Sequence, residues 1–158
     1  MYGRNLKAYN RTKLEAELLV ASPHRVTQML FEGLIERLNQ AKGFIETKDY
    51  AKKSTFIGKA MGILNGLQGS VDPSYDPELG ERIIGLYEYM KDRLNDANVN
   101  NDAEPINEVI KLITPIKEAW DQIPEDIREE QNLNITKKFE EMDAAQRERN
   151  SKGFAYGQ

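Results

Sequence analysis

Between residues 23 and 47 apolar side chains recur at Val26, Leu30, Phe31, Leu34, Leu38, Ala41 and Ile45. Intervals of three and four are those of one buried face on a helix. Ser22 followed by Pro23 supplies its start: a side-chain oxygen for an orphan N–H, then a residue whose φ is preset and whose missing N–H loses nothing. The rhythm returns three times. After Asp49 it runs to about Gln68 through Phe56, Ile57, Ala60, Met61, Ile63, Leu64 and Leu67. Past the loop GSVDPSYDP, Asp76 and Pro77 repeat the cap-and-proline start, and Leu79, Ile83, Leu86, Tyr87, Met90, Leu94 and Ala97 carry a third helix to about Asn98. A fourth, with Asp102 as its expected cap, continues to Ile123 through Ile106, Val109, Ile110, Ile113, Ile116 and Trp120.

Four amphipathic helices of matched length on short connections bury their stripes most simply as an antiparallel up-down four-helix bundle, an all-α fold with no competing strand signal. Residues 22–123 are the expected bundle, 1–21 an N-terminal leader, and 124–158 a charged C-terminal tail. Thr12 with Glu15 three residues later reads as a capping box for a short helix through LEAELLV, leaving Tyr2, Leu6 and Tyr9 on a flexible leader. In the tail only Ile135, Phe139 and Met142 keep helical spacing, enough for a weak fifth helix.

Composition narrows the chemistry. The 158 residues contain no cysteine and one histidine, which removes disulfides, zinc-finger ligand sets and a thiol nucleophile, and fits a reducing compartment. The N-terminus is too polar for a signal peptide, and no stretch approaches the roughly 20 apolar residues that span a bilayer, so a soluble cytoplasmic protein without membrane insertion is expected. A net charge of −4 argues against nucleic acid as a partner. His24 lacks the Glu-x-x-His context of a di-iron bundle, no nucleophile has a base beside it, and no phosphate loop is present. No enzyme activity, cofactor, metal or small-molecule substrate is therefore expected. At the N-terminal turn of the first long helix, His24 reads as a neutral structural residue whose ring bonds a neighbouring loop.

The second helix holds Gly58, Gly62 and Gly66 on one side, away from Ala60 and Leu67. Each glycine costs a helix interior on the order of 1 kcal/mol relative to alanine, and bare backbone admits the close approach of another chain. Met61 at the border of that face and Ile84 on the third helix are apolar residues that bundle packing does not obviously use. Together they suggest a groove for a partner helix, with local drift of the sequence as the plainer alternative.

The runs VASPHRVTQMLFEGLIERLNQAK, LYEYMKDRLNDANVNND and EVIKLITPIKEAWDQI, with the leader MYGRNLKAY, resemble the FliS family of flagellin-specific export chaperones over about residues 1–123. The resemblance implies a cytoplasmic helical bundle that binds the disordered C-terminal segment of flagellin, prevents premature polymerisation and works with components of the flagellar type III export apparatus. It also implies a leader lying over the binding surface when no client is present, which by position makes Leu6 and Tyr9 a displaceable lid. The groove residues expected from helices two and three are Ile57, Gly58, Met61, Gly62, Leu64, Ile84, Tyr87 and Met90, although Ile57, Leu64 and Met90 lie within the main stripes and fit the core as well. A helical adaptor or regulatory binding module with a different client is the alternative. Two features depart from the family pattern. Pro115 interrupts the fourth helix, on its polar side, and the tail beyond Ile123 has Ile135, Phe139 and Met142 placed either to dock on the groove or to lie in solvent on a frayed helix.

Overall fold

The computed structural model describes residues 2–74 and 76–155. Among them the regular elements are helices: α1 (Tyr2–Val20), α2 (Pro23–Glu46), α3 (Tyr50–Gly69), α4 (Pro77–Asn100), α5 (Glu104–Asp121) and α6 (Glu125–Ala155). Local chemistry starts them where the sequence puts the signals. Ser22 Oγ accepts from the Arg25 N–H at 3.2 Å, Asp49 Oδ1 from Lys52 at 3.3 Å and Asp76 Oδ1 from Leu79 at 3.1 Å. Asp102 is displaced by one: Ala103 occupies the N-cap without a side-chain bond, while Asp102 Oδ1 accepts from the Glu104 N–H at 3.0 Å. α4 runs past Asn98 to Asn100 and closes on Asn101, whose φ of 51° is the left-handed conformation that asparagine tolerates.

α2 pairs with α3, α3 with α4, α4 with α5, and α5 returns to α2, closing a ring around one core. Three of those pairings run antiparallel by their cross-helix contacts or their ends. Phe44 meets Phe56 and a Cβ on Gly33 would sit 3.5 Å from Ile63, so α3 returns along α2. Gln68 bonds Glu88 while Lys53 bonds Asn98 and Asn101, so α4 returns along α3. The start of α2 meets the end of α5 through Gln28–Asp121 at 2.9 Å and Trp120–His24 at 3.1 Å. Phe31, Leu34, Leu38, Ile57, Ala60, Leu64, Leu67, Tyr87, Met90, Leu94, Ile106, Val109 and Ile113 fill the interior. They are the stripe positions of the helical wheel, and their burial is the main favourable term of folding.

One expectation is corrected. The leader is not a flexible segment followed by a short capped helix: α1 is one helix of 19 residues, and Thr12 Oγ1 donates to the Ala8 carbonyl at 2.9 Å, the bond of a threonine inside a helix rather than at its start. No proline interrupts residues 2–20, and the Arg11–Glu15 pair at 3.1 Å spans one turn of it. The tail, where a weak fifth helix was expected, is helical over 31 residues as α6. Pro115 sits inside α5 on its exposed side, where water can take the Lys111 carbonyl that the proline leaves without a donor.

α1 and α6 leave the ring at the end where α2 begins and α5 finishes. Arg25 ties α1 through two bonds to Glu17 Oε1, at 3.0 and 2.8 Å. Arg128 ties α6 by donating to the carbonyl of Asp121 at 2.9 Å, the last of α5, and to that of Ile123 just beyond it at 2.6 Å. At the same end His24, 5% exposed, stacks on Trp120 with ring centroids 5.1 Å apart. Its role is structural, but by stacking: neither ring nitrogen finds a hydrogen-bond partner among the described residues, contrary to the expected bond to a loop. Burial, with Arg128 adding to it, holds the imidazole below its ordinary value, and Asp121 opposes them.

Candidate binding surface

The surface with the least side chain on it is the back of α3. Gly58, Gly62 and Gly66 are exposed, and a Cβ built on any of them meets nothing within 4 Å. On a 3.6-residue wheel the three stand nearly opposite the core positions Ile57, Ala60, Leu64 and Leu67. None of the three is required by local conformation or close packing, so the helix tolerates about 3 kcal/mol of lost propensity without an internal reason.

Other expected groove residues divide. Met61 is half-buried and packs against the core from the edge of the glycine face, and Ile84 is half-buried on α4 outside the core cluster. Ile57, Leu64, Tyr87 and Met90 are interior: for Ile57, Leu64 and Met90 this is the core alternative that the stripes already allowed, and Tyr87 joins them. Their wheel positions point at the ring axis, and burial satisfies each without a partner; for the Tyr87 phenol it also raises the pKa above the ordinary value. The eight residues therefore do not make one continuous apolar trough.

Polar bridges cross the outer seam between α3 and α4. Glu88 Oε1 accepts from Gln68 Nε2 at 2.8 Å and Lys91 Nζ at 2.7 Å; Lys91 also reaches Asn65 Oδ1 at 3.2 Å, and Ser54 Oγ donates to Asn98 Oδ1 at 2.9 Å. Lys91 and Gln68 hold the Glu88 carboxylate below its usual range. Such exposed bonds are individually weak and exchange readily with water, so the seam is shut by contacts that a competing chain can replace.

Leu6 and Tyr9 lie on α1 and are 59% and 66% exposed, so here they cover none of the groove residues. Phe139 and Met142 on α6 are 67% and 65% exposed and do not dock on the ring; the Ile135 side chain and residues 156–158 lie outside the described residues. One interior residue was not anticipated. Lys53 is buried, and its Nζ donates to the Asn98 carbonyl at 2.7 Å and to Asn101 Oδ1 at 2.6 Å, placing a cation on the negative end of the α4 dipole. A lysine falling on an apolar stripe position was the available signal. Among the described residues no group of three or more acidic, histidine or cysteine side chains is placed to hold a metal, and no helix is long and apolar enough to cross a membrane.

Comparison with known proteins places this arrangement. The family described as flagellar protein FliS matches residues 5–126. A flagellar secretion chaperone, FliSB, of Pseudomonas aeruginosa is 41% identical over 118 residues, covering 75% of this chain and 94% of that protein. The flagellar secretion chaperone FliS of Salmonella typhimurium is 40% identical over 119 residues, with 75% and 88% covered, and that of Vibrio cholerae 35% over 120, with 76% and 88%. A crystal structure described as a flagellar chaperone from bacteria superposes with a TM-score of 0.59 at 14% identity, over 74% of this chain and 94% of that one, a likeness of fold. The matched span begins in α1, takes in the whole ring and stops as α6 begins, and over that span the chain belongs to the FliS family, a family of flagellar chaperones rather than of enzymes.

Proposed function

We propose that this chain is a flagellar export chaperone that binds the disordered C-terminal segment of flagellin in the cytoplasm, prevents its premature polymerisation and passes it to the export apparatus. The working body is an antiparallel up-down four-helix bundle, α2 to α5, and the client's apolar face lies along the bare backbone of α3 beside Met61 and Ile84. Family membership across residues 5–126 carries this reading, and the relatives' names supply the export role. The geometry supports it in two ways. An exposed glycine row lets a second backbone come closer than any side chain would, and the polar seam bonds between α3 and α4 are cheap to exchange. Leu6 and Tyr9, exposed on α1, are free to join the client contact or to fold over it. Blocking polymerisation needs no bond to be made or broken; it needs the client's amphipathic stripe to be occupied, and the ordering entropy of a disordered client keeps the complex releasable.

Calorimetric titration with a synthetic flagellin C-terminal segment against a scrambled control tests the reading. Saturable binding of the native segment alone is expected. Gly62→Leu should leave the melting temperature at or above that of the parent and weaken binding by about tenfold, or about 1.4 kcal/mol. Equal behaviour of native and scrambled segments would reject flagellin as the client and leave the adaptor reading.

A further inference from the structure

The flank of α3 that faces α2 carries a feature unrelated to the glycine row. Phe44 of α2 and Phe56 of α3 pack with ring centroids 5.1 Å apart at 41°, both half-buried on the outer seam. Three cations gather on this pair. Lys59 Nζ lies 4.7 Å and the Arg37 guanidinium 5.8 Å from the Phe56 centroid, and Lys52 Nζ lies 5.6 Å from that of Phe44. Carboxylates do little to neutralise them: among the described residues Arg37 meets Glu36 and Lys52 meets Asp49, both at a long 3.7 Å, and Lys59 meets none. Over positions 36–60 six basic residues stand against three acidic ones, a local charge of +3 in a chain whose total is −4. The rings attract each cation, but the cations repel one another, and among the described residues only the two long pairs to Glu36 and Asp49 relieve that repulsion.

The arrangement is a track rather than a point. Lys52, Phe56 and Lys59 follow one another at intervals of four and three on α3, a rise of about 10 Å, and Arg37 and Phe44 run alongside on α2. Its repeat is that of a helix face bearing carboxylates on either side of an apolar residue. We propose that this seam is a docking surface for an acidic amphipathic helix of a protein partner, its carboxylates pairing with Arg37, Lys52 and Lys59 and its apolar residue resting on Phe44 and Phe56. An anionic lipid surface has the same charge, but a linear track along a helix pair with an apolar centre fits a peptide better than a plane. With acidic charge dominating elsewhere on the molecule, such a partner is repelled from other faces and steered to this one.

The test uses the full chain and a synthetic helical peptide with glutamates at i, i+4 and i+7 around one leucine, a lysine-for-glutamate version, and phosphatidylcholine–phosphatidylserine vesicles. The glutamate peptide is expected to bind saturably and the lysine version not at all. Lys52→Glu/Lys59→Glu should weaken binding about tenfold, and Lys52→Gln/Lys59→Gln, with less disturbance of charge, about threefold. Lys111→Glu/Lys137→Glu, the same charge change elsewhere, should leave it within about twofold. Thermal melts of all variants check that the ring is intact. Absence of saturable glutamate-peptide binding, equal losses in patch and control variants, or binding to vesicles in place of the peptide would each overturn the proposal. Because the two tests use different peptides and different variants, either can fail without the other.

Discussion

Gly80 and Gly62 are both helical glycines, and the structure makes opposite demands on them. A Cβ on Gly80 would lie 2.9 Å from the Pro73 Cα, where the loop before α4 folds back against the helix, whereas one on Gly62 meets open space. Gly80→Ala should therefore lower stability by about 1 to 3 kcal/mol, because backbone has to move, and Gly62→Ala should raise it by about 0.5 to 1 kcal/mol through helix propensity alone. Urea unfolding of the two variants checks the signs. His24 supplies the pH dependence. Its buried ring is held neutral, so its folded pKa lies below the value near 6.5 of an unfolded chain. In that window the unfolded state binds more protons, and stability should fall as pH drops below about 6.5. Asp121, whose pKa is lowered by its bond from Lys117 and then by Gln28, acts only in the more acidic range. His24→Phe keeps a ring against Trp120 without a titrating group and should flatten the decline between about pH 7 and 5. An unchanged slope would place the titrating group elsewhere.

Among the elements, α1 and α6 differ from the ring helices in having little to bury. Leu14, Leu18, Leu19 and Val20 on α1, and Ile127, Leu133, Phe139 and Met142 on α6, are exposed. Beyond Arg128, the ion pair between α6 and the ring is Lys138–Asp72 at 3.6 Å, among the described residues, with both side chains largely in water. Exposed pairs of that kind contribute about 0 to 1 kcal/mol. Deletion of residues 130–158 should accordingly leave the melting temperature of the ring and its affinity for client unchanged, as read by calorimetry. A loss of either would mean that α6 docks on the ring in solution. Helix starts were legible because they are local: Ser22, Asp49 and Asp76 cap through bonds that span three residues. The Thr12–Glu15 pair carried the same signature and misled, since a threonine can bond back to the carbonyl four residues before it when the chain upstream is already helical.

For the whole molecule, periodicity told which residues would be inside and said nothing about which of two adjacent stripes an edge residue would join. Ile57, Leu64, Tyr87 and Met90 went to the core, Met61 to its margin and Ile84 outside it, and the division was settled by where α4 lies against α3. Lys53 is the reverse case: a charge on a stripe position, accepted inside because Asn98 and Asn101 end α4 within its reach. The net charge of −4 argued only against nucleic acid as a partner, and α2 and α3 pair so that Arg37, Lys52 and Lys59 meet around two phenylalanines. What the sequence determined by itself was the set of ring helices, the caps of the first three, their buried faces and the open glycine row, because these depend on contacts within a few turns of one chain. Only the tertiary structure decided which seams are polar, which are cationic, and how α1 and α6 stand clear of the ring, because those follow from pairs of side chains many residues apart whose meeting no local period encodes.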